Sequence, residues 1–245
     1  MSNWDRFERF NPDEVGRASN SPGLYAWYGV MVAGPPDWQM NIEQGTDHGE
    51  ENSRKLLRSY TARHHGPELE IQATGGFSTV WQGQINDSSN LDLQDVLAAP
   101  LNNAEADGNV PAPKLQRTLS SPNARKLLFK ALQASSPIFA SPLYIGVAEN
   151  LSKRLEQHAK MLFKLWHVYS NDPAKFEKVL DSQRFKGQFA VRAVQRGFSP
   201  DTVEVWTLPL EHLNEDGLTH EDLRVVAEAT EWLLNRWHRP PLGRR

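Results

Sequence analysis

The sequence predicts a mixed α/β protein, in which a small sheet of three short strands is flanked by helices and a long α-rich insertion separates the first strand from the second. Three observations carry that expectation. Apolar runs bounded by turn residues recur at 24–32, 141–148 and 202–208, the pattern of short buried strands. Two longer stretches, 151–166 and 221–237, repeat apolar residues at the i, i+3, i+4, i+7 spacing of amphipathic helices. Residues 33–140 lose this regularity, broken by Gly34-Pro35-Pro36, Gly75-Gly76, Ser88-Ser89-Asn90 and Pro111-Ala112-Pro113.

Each element has a local reason. The first strand follows the turn Ser19-Asn20-Ser21-Pro22-Gly23, and its residues Leu24, Tyr25, Ala26, Trp27 and Tyr28 are all apolar or aromatic. Within the insertion, helices are expected near 50–64, 91–98 and 122–134, with a strand at 77–85. Regularity returns at Ser141-Pro142, and Tyr144-Ile145-Gly146-Val147-Ala148 runs into Asn150, a favourable helix N-cap. In the helix that follows, Leu151, Leu155, Leu162 and Leu165 share one side. Arg154 and His158, four residues apart, share another. A helix is expected at 174–183, while 189–195 fits either a helix or a strand. The last helix carries Leu223, Val226, Ala227, Thr230, Leu233, Leu234 and Trp237 as its apolar stripe and stops at Pro240-Pro241. The chain thus divides into 1–32 (N-terminal segment and first strand), an insertion at 33–140, and the remainder of the core at 141–245.

Composition narrows the function. With 245 residues, 39% of them hydrophobic, the chain can bury one generous core and an elaboration. No apolar run approaches the roughly 20 residues that cross a bilayer. The N-terminus, acidic at Asp5, Glu8, Asp13 and Glu14, lacks a signal-peptide pattern. The expectation is a soluble, cytoplasmic protein with no membrane partner. The absence of cysteine excludes disulfides, thiolate catalysis and cysteine-ligated zinc. A net charge of −3 argues against indiscriminate coating of nucleic acid. Basic residues still cluster at 54–65, 114–130, 184–196 and 236–245, and acids at 43–51 and 211–222. The adjacent His64 and His65 read as part of a basic face. No phosphate-cradling glycine loop, nucleophile elbow or H-E-x-x-H pair is present.

One constellation carries chemistry. Tyr144-Ile145-Gly146 is followed by Arg154 ten residues after the tyrosine and by His158 fourteen after it, and Gly23-Leu24-Tyr25 precedes them on another strand. Strand, helix and spacing together resemble the GIY-YIG nuclease signature, with Leu24 in place of the usual isoleucine. The resemblance implies a mostly antiparallel three-stranded sheet and a later helical glutamate that binds Mg²⁺ or Mn²⁺, with a proline about nine residues on. Glu231 has Pro240 at that distance. Glu228 competes, but at about 100° per residue it points away from the apolar stripe, whereas Glu231 lies at the stripe's edge, where packing fixes a rotamer and one side stays open.

By this resemblance the catalytic residues are Tyr25, Tyr144, Arg154, His158 and Glu231. Gly146, Arg154 and His158 touch substrate and Glu231 binds the metal. The residue types suit phosphodiester hydrolysis. Mg²⁺ is commonly held by one carboxylate and water, and a guanidinium grips a phosphate oxygen as lysine cannot. Tyr144 would orient or deprotonate the water, Tyr25 would position phosphate or water, and His158 would hold phosphate or shuttle a proton.

The sequence also departs from the family. More than a hundred residues separate Tyr25 from Tyr144, where relatives have roughly ten. That is tolerable because loop-closure entropy grows only logarithmically. Val147 stands where many relatives carry lysine or a polar group, and Gly243 where they carry asparagine. The implied function is a metal-dependent DNA endonuclease, alone or as the nuclease subunit of a larger DNA-processing or defence complex. The alternative is a catalytically silent module that binds DNA or protein. The insertion, with Phe77, Trp81 and the basic segment 117–130, would serve a protein partner or DNA equally.

Overall fold

The computed structural model describes residues 6–43, 46–65, 70–77, 81–88, 112–181 and 188–243. The chain forms two compact units, one made of Met1–Val32 with Leu132–Arg245 and the other of Ala33–Ala131. The second boundary lies inside the helix Pro122–Phe139, earlier than the 140 suggested by the Ser141-Pro142 turn. Proline marks where that helix ends, not where packing divides the chain.

In the first unit, β1 (Glu8–Phe10), β2 (Gly23–Gly29), β3 (Tyr144–Ala148) and β4 (Val203–Pro209) form one antiparallel sheet in the order β1-β4-β2-β3. The strands expected from the apolar runs are β2, β3 and β4. The three-stranded expectation is corrected by β1, which pairs Arg9 with Trp206. Three residues are too few to show an alternating pattern. What holds them is an ion pair: Arg9 Nε donates at 2.9 Å to Glu204, a buried carboxylate that also accepts from the Trp206 indole at 2.7 Å.

One face of the sheet is covered by α1 (Leu151–Asn171), α2 (Pro173–Asp181) and α3 (Phe189–Gln195). Leu151, Leu155, Leu162 and Leu165 of α1 are buried there with Tyr25 and Trp27. Trp27 stacks on Phe189 with centroids 4.9 Å apart, so the segment that fitted either helix or strand is a helix sealing the core. Helix α1 begins where expected, since the Asn150 side chain accepts from the Lys153 N–H at 2.8 Å.

The other face meets α4 (His220–His238), which starts at a capping box between Thr219 and Asp222. Its buried contacts are narrower than the expected stripe. Leu223 and Ala227 pack with Leu24 and Leu210, and Leu234 joins them partly buried. Val226, Leu233 and Trp237 are exposed. Helix α4 presents to the sheet only the arc nearest Ala227, and the outer members of the stripe face solvent.

In the second unit, helices Pro35–Trp38, His48–His65 and Ala112–Leu119 and the first part of Pro122–Phe139 accompany two short antiparallel pairs, Ile42–Glu43 with Thr46–Asp47 and Glu70–Phe77 with Trp81–Ser88. The strand expected at 77–85 therefore joins the end of one strand to most of the next. Periodicity alone does not mark a reversal between two similar runs. The helix expected at 91–98 lies outside the described residues. Arg125, counted within a basic cluster, is fully buried. It donates to Asp47 at 2.7 Å, to the Leu119 carbonyl at 2.6 Å and to the Trp38 carbonyl at 3.2 Å. His64 is likewise buried, its ring 4.5 Å from that of Tyr60, and forms no part of a basic face. No helix among the described residues is long and apolar enough to cross a membrane.

Candidate active site

The strand register creates the site. Tyr25 on β2 lies opposite Gly146 on β3, and Trp27 lies opposite Tyr144. A side chain at 146 would begin 2.6 Å from the Tyr25 ring and hydroxyl and 2.9 Å from the Tyr144 ring. Only glycine lets the two phenols approach, with ring centroids 6.1 Å apart. Gly146 itself is buried beneath the rings.

Helix α1 supplies the next groups, four residues apart on one face. His158 Nε2 shares a 3.1 Å hydrogen bond with the Tyr25 hydroxyl. Arg154 is exposed, with Gln157 Oε1 3.5 Å from its guanidinium. Helix α4 then brings Glu231 to the same place. Tyr25, Tyr144, Arg154 and Glu231 line one open cleft of about 650 Å³, walled also by Val147, Glu228, Trp232, Asn235 and Arg236.

His158 does not line this cleft. It borders a neighbouring cavity of about 380 Å³, with Gln157, Gln188 and Phe189, that shares Tyr144 and Arg154 as a common wall. Burial, then repulsion from Arg154 and Arg192, lowers the His158 pKa to about 3, so the imidazole is neutral at pH 7. A neutral ring bonded to Tyr25 can fix the position of that hydroxyl, and it offers no positive charge to a phosphate. Burial also pushes the Tyr25 phenol well above its ordinary range, with Tyr144 adding to the effect and Arg154 opposing it. Tyr25 therefore stays protonated and acts as a hydrogen-bonding hydroxyl. Tyr144 is half-buried and faces both cavities.

Both candidate carboxylates border the cleft, and they differ in exposure. Glu228 is exposed and accepts from Arg224 at 3.2 Å, within a surface cluster that includes Glu221 and Glu149. Glu231 is half-buried, and its main-chain carbonyl accepts from the Asn235 side-chain amide at 3.0 Å. No group of three or more His, Cys, Asp or Glu side chains able to hold a metal occurs among the described residues. A cation here would rest on one or two carboxylates and water, a donor set that fits Mg²⁺ or Mn²⁺ and does not fit zinc.

Sequence reasoning overlooked Trp232, Asn235 and Arg236. The available signal was helical spacing: Asn235 is four residues after Glu231, and Trp232 and Arg236 continue the four-residue column from Glu228. Gly243 sits beside the same amide, since a side chain there would begin 3.6 Å from Asn235 Oδ1. No protein-family model, curated protein or solved structure matches the chain.

Proposed function

We propose that this protein is a metal-dependent DNA endonuclease of the GIY-YIG type, hydrolysing phosphodiester bonds in the cleft between β2, β3, α1 and α4. The supporting observation is the convergence of Tyr25, Tyr144, Arg154 and Glu231, from distant stretches of chain, on one cavity. Glu231 holds the cation, with Glu228 alongside. When bound, that ion neutralises charge growing on the phosphate. Arg154 grips a nonbridging oxygen. Tyr144 orients the attacking water or, as the phenolate that the cation and Arg154 would favour, takes its proton. Tyr25, held by neutral His158, presents a hydroxyl to the phosphate or the water. Asn235 places an amide in the cleft beside Gly243, compensating for the asparagine that the resemblance leads one to seek at 243.

The test compares single-stranded, duplex and branched DNA with Mg²⁺, Mn²⁺ or EDTA. Arg154→Ala and Glu231→Ala should each slow cleavage by about 10²-fold or more, and EDTA should abolish it. Cleavage that survives both substitutions sinks the site. A second reading, a catalytically silent module, is favoured by Val147, which puts an aliphatic wall in the cleft. It expects DNA or protein binding that is indifferent to Glu231→Ala and never leads to metal-dependent cutting. In either case the 33–131 unit is the proposed docking element for a protein partner in a larger DNA-processing or defence complex. Co-purification that persists after its deletion would argue against that.

A further inference from the structure

We propose that Trp232, braced by Arg236, is a stacking platform for an unpaired nucleobase, so that the preferred substrate is DNA with single-stranded character beside the cut. The proposal rests on the nuclease reading for the fate of the strand, but it concerns binding and is tested without cleavage.

Helix α4 carries Arg224, Glu228, Trp232 and Arg236 in one column at four-residue steps. The first two members neutralise each other at 3.2 Å. The last two form a different unit, in which the Arg236 guanidinium lies over the Trp232 ring at 4.0 Å from its centroid. That contact limits the swing of the indole and lays a positive charge on one face, leaving the other face for a base. Trp232 nevertheless remains 56% exposed. A large apolar ring left in water gains from being covered.

Its position names the cover. Trp232 directly follows Glu231, and Trp232, Arg236, Glu231 and Arg154 border the same cleft. A strand whose phosphate rests at Arg154 and Glu231 passes within reach of the indole, and Arg236 matches the charge of the adjoining phosphate. Bases inside a duplex are already stacked on both sides, so the ring rewards only a base freed from its partner. A protein segment covering Trp232 would draw no comparable advantage from Arg154 and Arg236, the two arginines that border the cleft.

The experiment measures fluorescence anisotropy in EDTA with a labelled oligothymidylate and with a duplex of equal length, for wild type, Trp232→Ala and Trp232→Phe. Trp232→Ala should weaken single-strand binding by about tenfold while duplex affinity changes by less than about twofold, and Trp232→Phe should retain most of the single-strand affinity. Circular dichroism of Trp232→Ala checks that the helix is retained, and the phenylalanine variant preserves the test if it is not. Unchanged single-strand affinity in Trp232→Ala, equal losses on both ligands, or a wild type that binds no single-stranded DNA overturns the platform. Trp232-dependent single-strand binding by a protein that never cuts with Mg²⁺ supports the platform and sinks the nuclease reading.

Discussion

At the scale of single residues, Tyr25 and Tyr144 share a cleft because nothing stands between them. Gly146 leaves that space, and a methyl group at 146 would meet the Tyr25 ring at 2.6 Å. Gly146→Ala is therefore expected to destabilise the protein by about 1–3 kcal/mol, read from urea denaturation, and to displace one phenol, read as lost cleavage. His158 gives a pH signature. Its folded pKa of about 3 lies below the ordinary 6.5, so the unfolded chain binds the extra proton first as pH falls. Its contribution is complete above about 6.5 and declines toward about 3. Denaturation midpoints should fall on acidification in wild type and fall less in His158→Gln; identical profiles would refute the buried neutral imidazole. Tyr144, Arg154 and Glu231 were legible in the sequence because motif spacing and helical angle act locally. Trp232 and Asn235 were not, because their only mark, the four-residue spacing from Glu228 and Glu231, is one that any helix face carries.

At the scale of elements, strands and helices with strong local signals were legible. Asn150 opens α1 as its capping chemistry requires, and the side chain bonds the Lys153 N–H. Asn150→Ala should cost about 1 kcal/mol in denaturation experiments, and because α1 carries Arg154 it should also slow cleavage. Where signals were short or doubled, sequence reasoning failed. Strand β1 has only three residues and depends on Arg9 finding Glu204 across the sheet. The strand expected at 77–85 covers most of Trp81–Ser88 but only the last residue of its partner Glu70–Phe77, where Gly75-Gly76 reads as a break. On α4, Trp237 is 69% exposed although its spacing placed it in the apolar stripe. A helical wheel ranks faces, but the neighbour decides how much of a face is used.

At the scale of the whole molecule, β2 and β3 pair directly although the 33–131 unit lies between them in sequence. Loop closure grows only logarithmically with length, so this separation costs about 2 kcal/mol more than a connection of about ten residues would. The second unit holds an ion pair between buried Arg125 and half-buried Asp47. Burial opposes ionisation of Asp47, but hydrogen bonds from Arg125 and from the Asn41 and Gly49 backbone hold its carboxyl below the usual range. Arg125→Met should destabilise this unit by about 1–3 kcal/mol, because it removes the donors that serve Asp47 and the Leu119 and Trp38 carbonyls. A denaturation curve that matches wild type would show the pair to be incidental. How the insertion is built could not be read from composition, since buried and solvated arginines look alike in a sequence.

The most direct test is single-turnover cleavage of DNA in Mg²⁺ by wild type and by Glu231→Gln, a substitution that keeps the shape of the side chain and removes its charge. A cleft that works through one carboxylate and a cation predicts metal-dependent cutting by the wild type and a loss of about 10²-fold or more in the variant. Equal rates for the two proteins, or cutting that persists in EDTA, would contradict it.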